Sequence, residues 1–181
     1  MTDTMKEGMS GGGTIKSLVY LSHYPEYLVL QIKKLIEEEK LGRYLLSKYP
    51  LAHAITSDKA LYAYTMEIKN QFLRKADTVS KVVYDGKISD INDALGLHRI
   101  SIKNHGGRLR SKNEIRVASL FKSVPEPFLK MIVVHELAHL KEKQHNKAFY
   151  ALCEAMEPQY HQLEFDVRVY LTHLDAIGKL Y

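Results

Sequence analysis

His135-Glu136-Leu137-Ala138-His139 follows an almost wholly apolar run, Phe128-Leu129-Lys130-Met131-Ile132-Val133-Val134, and is itself followed by His145. Residues four apart on a helix are offset by about 40°, so the two imidazoles leave from one face. That spacing lets two ring nitrogens reach one tetrahedral zinc at about 2.0–2.1 Å. Glu136 stands where a carboxylate can hold and deprotonate a water on the ion. The apolar run points to a helix that enters a core. There the histidines and the carboxylate need partners, because buried polar groups left unpaired are costly.

A catalytic zinc takes three protein ligands and keeps one position for water or substrate. Glu142 lies seven residues beyond His135, about 10 Å along a straight helix, and groups strung so far along one rod do not converge on an ion. His145 serves better if the helix ends between Leu140 and Gln144 and the chain turns back. Lys141 to Gln144 carry no core pattern, and Asn146 is a suitable N-cap for a new helix. The reading is therefore His135, His139 and His145 as ligands and Glu136 as the base.

With 181 residues, 45% of them hydrophobic, the chain suits one domain with a real core. No apolar run approaches the roughly 18 residues of a membrane span. Residues 1–14, with Gly11-Gly12-Gly13, read as a disordered tail without the apolar core of a signal peptide. A single cysteine, Cys153, excludes an intramolecular disulfide framework and sits in a helical core pattern with Phe149, Leu152 and Met156. These features describe a cytoplasmic protein with no membrane partner. The net charge of +5 leans weakly toward an anionic partner.

The order of elements follows from pattern and punctuation. Ile15–Leu21 reads as a short strand or an extended lead-in. Pro25-Glu26 opens a helix with Leu28, Leu30, Ile32, Leu35 and Ile36 inward, and Gly42 loosens it. Ser57-Asp58 starts a second helix, running to about Lys75, with Leu61, Tyr62, Tyr64, Ile68, Phe72 and Leu73 as its core. From Lys81 the period falls to two. Strands at 81–84, 97–103 and 114–118, with turns at Asp85-Gly86 and Gly106-Gly107, predict a small antiparallel sheet over about 81–119. Pro125 and Pro127 open the histidine helix, Asn146–Glu157 forms the next, and Pro158 starts the last, which runs to about Ala176. On that last helix His161, Glu164, Asp166 and His173 are candidates to hydrogen-bond the ligand imidazoles.

Around the site, Ile132–Leu140, His145-Asn146 and Phe149 resemble the YgjP-like metal-dependent hydrolases. So do Asp58–Tyr62, Asn70–Arg74, Glu114–Ala118, Pro125–Leu129 and Met156–Glu164, so that the resemblance spans nearly everything after the tail. It implies an α+β, zincin-like single domain over 15–181: N-terminal helices, a small antiparallel sheet, the H-E-x-x-H helix and C-terminal helices. It also implies His135, His139 and His145 as zinc ligands and Glu136 as the base. A distant similarity to SprT-type proteases rests on the same helix. One departure stands out. Many members carry Trp-Gly-Ser-Cys before the strand that precedes the site, whereas this chain has Gly107-Arg108-Leu109-Arg110-Ser111 and no Trp.

Three functions compete. The motif favours hydrolysis of peptide bonds, and that is the expected function. The resemblance also implies nucleotide chemistry, since a family member is described as a UTP pyrophosphatase; Mg²⁺ carried by the nucleotide would then join the zinc. The third is a non-catalytic zinc or nucleic-acid-binding module. The basic stretch over 99–122, including Arg99, Lys103, Arg108, Arg110, Lys112, Arg116 and Lys122, could draw an anionic substrate or nucleic acid toward the zinc. Arg110 and Arg116 are its candidate substrate-binding residues, and Tyr160 is a candidate oxyanion stabiliser.

Overall fold

The computed structural model describes residues 17–88 and 113–181. Ser17–Leu21 forms a 3₁₀ turn rather than the expected strand or extended lead-in. Helices α1 (Glu26–Glu37), α2 (Leu41–Lys48) and α3 (Asp58–Phe72) follow, then strands β1 (Val79–Asp85) and β2 (Asn113–Ala118). A second 3₁₀ turn, Ser119–Ser123, leads into α4 (Glu126–Ala138), α5 (Lys147–Met156) and α6 (Tyr160–Ala176). The mixed helix-and-strand character agrees with an α+β fold. Among the described residues no helix is long and apolar enough to cross a membrane.

The sheet departs from expectation. β1 and β2 pair in parallel, with Val82 opposite Ile115 and Tyr84 opposite Val117, so buried residues meet buried residues. Parallel neighbours need a long crossover, and the stretch between the two strands is long enough to provide one. What would follow a hairpin at Asp85-Gly86 lies outside the described residues. The Asp85 carboxylate accepts from the Lys87 backbone N–H at 2.8 Å, a local turn that ends the strand. The expected strand at 97–103 and the turn at Gly106-Gly107 lie outside the described residues.

Local chemistry sets the helix limits. The Ser57 hydroxyl caps α3 by accepting from Ala60 N–H, and the Asn146 side chain caps α5 by accepting from Phe149 N–H at 2.9 Å. The break between α1 and α2 is made by Glu39, whose φ is 54°, and not by Gly42, which lies inside α2. Gly42 is needed for another reason: a Cβ there would sit 2.9 Å from His173 Nε2 of α6. Leu30, Tyr62 and Phe72, expected inward, are exposed.

Helix α4 is apolar nearly all round and runs through the core. Its Phe128 lies against Tyr49, just past the end of α2, at 4.6 Å and Tyr170 of α6 at 5.7 Å between ring centroids. Tyr64 of α3 donates to Glu126 at its start. The fully buried Asp166 of α6 accepts from the Tyr49 hydroxyl and from Lys48 Nζ, both at 2.6 Å, and from Gln162 at 3.2 Å. This carboxylate fastens α2 to α6, and it raises the Tyr49 phenol pKa, adding to the effect of burial. Asp166→Ala should therefore destabilise the fold by about 1–3 kcal/mol, chiefly by leaving the Tyr49 hydroxyl without an acceptor, since Lys48 can turn to water. Denaturant unfolding measures this, and an unchanged midpoint would mean the contact holds nothing.

Candidate metal centre

Each histidine is placed by a different local device. His135 occupies the last turn of α4 and is buried. His139 is the residue at which that helix ends, somewhat earlier than the sequence suggests. His145 lies in the turn that follows, next to the Asn146 cap, so the start of α5 fixes where it can point.

The three Nε2 atoms converge. His135 to His139 is 3.3 Å, His139 to His145 is 3.1 Å, and His145 to His135 is 3.2 Å. Nitrogens bound to a tetrahedral zinc at 2.0–2.1 Å stand about 3.3–3.4 Å apart, close to this triangle. The donor set and its spacing therefore fit a divalent metal, and these three side chains could hold one. Two of the Nδ1 atoms engage groups on the far side. His139 Nδ1 lies 2.8 Å from the Glu142 carbonyl, which can only accept. That places the proton on Nδ1 and leaves the Nε2 lone pair for the ion. His135 Nδ1 lies 2.7 Å from the Tyr160 hydroxyl. Burial pulls the His145 pKa below its ordinary value, with Arg168 adding to this and Glu164 opposing it, so the neutral, ligating form is favoured.

Phe149, fully buried, forms a common floor. Its ring centroid is 5.0, 4.5 and 4.7 Å from those of His135, His139 and His145. Glu136 keeps partial exposure, yet desolvation by its surroundings pushes its carboxyl up to about 7. A cation held beside it would pull that value back down. A carboxylate there can take a proton from water and return it.

Residues 87–167 match the family model described as YgjP-like, metallopeptidase domain. The chain is 58% identical over 160 residues to the UTP pyrophosphatase of Escherichia coli (strain K12), which covers 88% of this chain and 96% of that protein. The chain belongs to the YgjP-like family. This YgjP-like chain is accordingly a metal-dependent hydrolase. No solved structure matches it.

Tyr160 and Arg116 are engaged by other groups of the chain. Tyr160 is fully buried and bonds to His135, where it can orient an imidazole rather than meet an oxyanion. Arg116 and Glu114 do share the exposed face of β2. There the Arg116 guanidinium is engaged by Asp85 at 2.8 Å and Glu114 at 2.9 Å, so a substrate anion would have to displace two carboxylates. Arg110 and the rest of the basic stretch through Lys112 lie outside the described residues. Of the four expected partners of the imidazoles, His161 pairs with Glu154, Glu164 with Arg168, Asp166 with Lys48 and Tyr49, and His173 with the Gly178 carbonyl. Sequence reasoning missed the Glu142 carbonyl and the floor role of Phe149. The latter had a signal: Phe149 stands four residues after His145, in the first turn of a capped helix.

Tyr160→Phe keeps the ring and removes the hydroxyl that meets His135. It should weaken metal affinity about 10–100-fold with the fold intact. His135→Ala should lose the metal, and Glu142→Ala should keep it, because the carbonyl to His139 is backbone. Competition with a graded chelator reads all three. Undiminished affinity in the Tyr160 variant would remove that residue from the centre.

Proposed function

We propose that this chain is a zinc-dependent nucleoside triphosphate pyrophosphatase that converts UTP and water to UMP and diphosphate. The observation that carries the reading is the 58% identity, over 96% of its length, to a protein named UTP pyrophosphatase. The three convergent histidines with Glu136 beside them supply a site able to do this chemistry. His135, His139 and His145 are the proposed zinc ligands and Glu136 the proposed base. Zinc, when bound, supplies Lewis acidity that lowers the pKa of water and polarises a phosphoryl oxygen.

Glu136 takes the proton of the attacking water. A bond forms from the water oxygen to the α-phosphorus, the bond from that phosphorus to the bridging oxygen breaks, and diphosphate leaves. Tyr160 and the Glu142 carbonyl hold two of the imidazoles in register. Mg²⁺ would accompany the triphosphate. Arg110 and its basic neighbours are the proposed source of further positive charge, for the triphosphate or for nucleic acid. A cytoplasmic location, where nucleotides are abundant, suits this reading.

Peptide hydrolysis is the second reading, favoured by the match of residues 87–167 to a metallopeptidase domain. Zinc polarising a carbonyl and Glu136 passing its proton to the leaving amine would serve there as well. The two separate in a side-by-side assay of metal-loaded protein on UTP and on unfolded polypeptide. Diphosphate release without peptide cleavage is expected; the reverse outcome transfers the function to peptides. Glu136→Gln should keep its metal and lose about 10²–10⁴ in kcat. A Gln variant of full activity would remove Glu136 from the mechanism.

A further inference from the structure

Tyr160, Glu164 and Arg168 follow one another at four-residue intervals on α6, each about 6 Å further along the same flank. The first is tied to His135. The other two take no part in the hydrolysis derived above. Arg168 donates to Glu164 Oε1 at 2.9 Å and, weakly, to the Tyr20 carbonyl at 3.4 Å, and its Nε is buried without a hydrogen-bond partner. Two tyrosines stand beside this pair. The Tyr150 ring lies 6.4 Å from His145 and 6.3 Å from Tyr160, and the Tyr24 ring packs edge-on to Phe165 of α6 at 4.9 Å. The Glu164 and Arg168 side chains lie near the hydroxyls of both tyrosines. All four side chains are only partly covered.

A paired Glu and Arg carry no net charge, so they are a poor anchor for a triphosphate. They do offer a carboxylate acceptor beside guanidinium and phenol donors, flanked by aromatic faces. Uracil presents the complement: an N3–H donor between two carbonyl acceptors. Cytosine carries a lone pair at that nitrogen and an amino group beside it, so a carboxylate facing position 3 accepts from one base and repels the other. The tyrosine faces can take the ring by stacking, which is insensitive to base identity. The cluster begins one helical turn from the residue that touches His135, a gap that a ribose can bridge.

We propose that Tyr24, Tyr150, Glu164 and Arg168 form the nucleobase subsite, with the Glu164 carboxylate selecting uracil over cytosine; this rests on the nucleotide reading above. The probes are two non-hydrolysable nucleotides, α,β-methylene-UTP and α,β-methylene-CTP, titrated calorimetrically into metal-loaded protein. The wild type should hold the uridine analogue at least about tenfold more tightly. In Glu164→Gln, whose amide offers both a donor and an acceptor, the two affinities should converge. Tyr150→Leu should weaken both analogues alike, by about 5- to 150-fold, through lost stacking.

Thermal unfolding shows which variants keep the fold, and if Glu164→Gln does not, Tyr150→Leu decides. A folded Glu164→Gln with the wild-type preference, or a folded Tyr150→Leu with wild-type affinities, overturns the subsite. A wild type that hydrolyses UTP but binds both analogues equally loses the subsite alone. One that hydrolyses no nucleoside triphosphate loses the nucleotide reading and this inference with it.

Discussion

Imidazole nitrogens brought to 3.1–3.3 Å of one another crowd three lone pairs into one small volume. Such an arrangement is costly by itself, because like partial charges meet where water is partly excluded. A cation at their centre turns the same crowding into attraction. Much of the surrounding structure serves this convergence. α4 must end at His139, the chain must turn within a few residues, and α5 must start at Asn146 to return His145 to its partners. The Glu142 carbonyl and the Tyr160 hydroxyl then engage the far sides of two rings, and Phe149 closes the space beneath all three.

Rigidity at the site comes from the depth of α4. Phe128, Leu129, Met131, Val133, Val134, Leu137 and Ala138 are fully buried, so the helix cannot rotate without breaking close-packed contacts around it. His135 inherits that fixed orientation. α6 has a double task. Its first residue holds His135 in place, while Asp166 and Tyr170 lock the same helix to α2 and to Phe128. A functional group placed on elements so held is positioned more accurately than one carried on a loop.

The helical half of the chain was legible because its signals are local. Ser57 and Asn146 behave as caps, and the i, i+4 pair His135 and His139 shares a face as helix geometry requires. The sheet was not legible in the same way. Alternation identifies strands but carries no direction, so Glu114–Ala118 could be recognised while its parallel pairing with β1 could not. Leu30 and Phe72 fit their helical stripes, yet both side chains are exposed.

What the sequence by itself determined is the chemistry available: three histidines, a carboxylate and a helix buried deeply enough to hold them. Those are matters of residue type and short-range spacing, and the resemblance to the YgjP-like family rests on the same residues. The tertiary structure alone decided the partners. Tyr160 meets His135 across 25 positions, and Asp166 meets Tyr49 across 117. Arg116, a plausible substrate cation from its place in a basic stretch, is engaged instead by Asp85 from the neighbouring strand. Contacts of that range depend on how whole helices and strands dock, and docking depends on the summed burial of many side chains rather than on any motif.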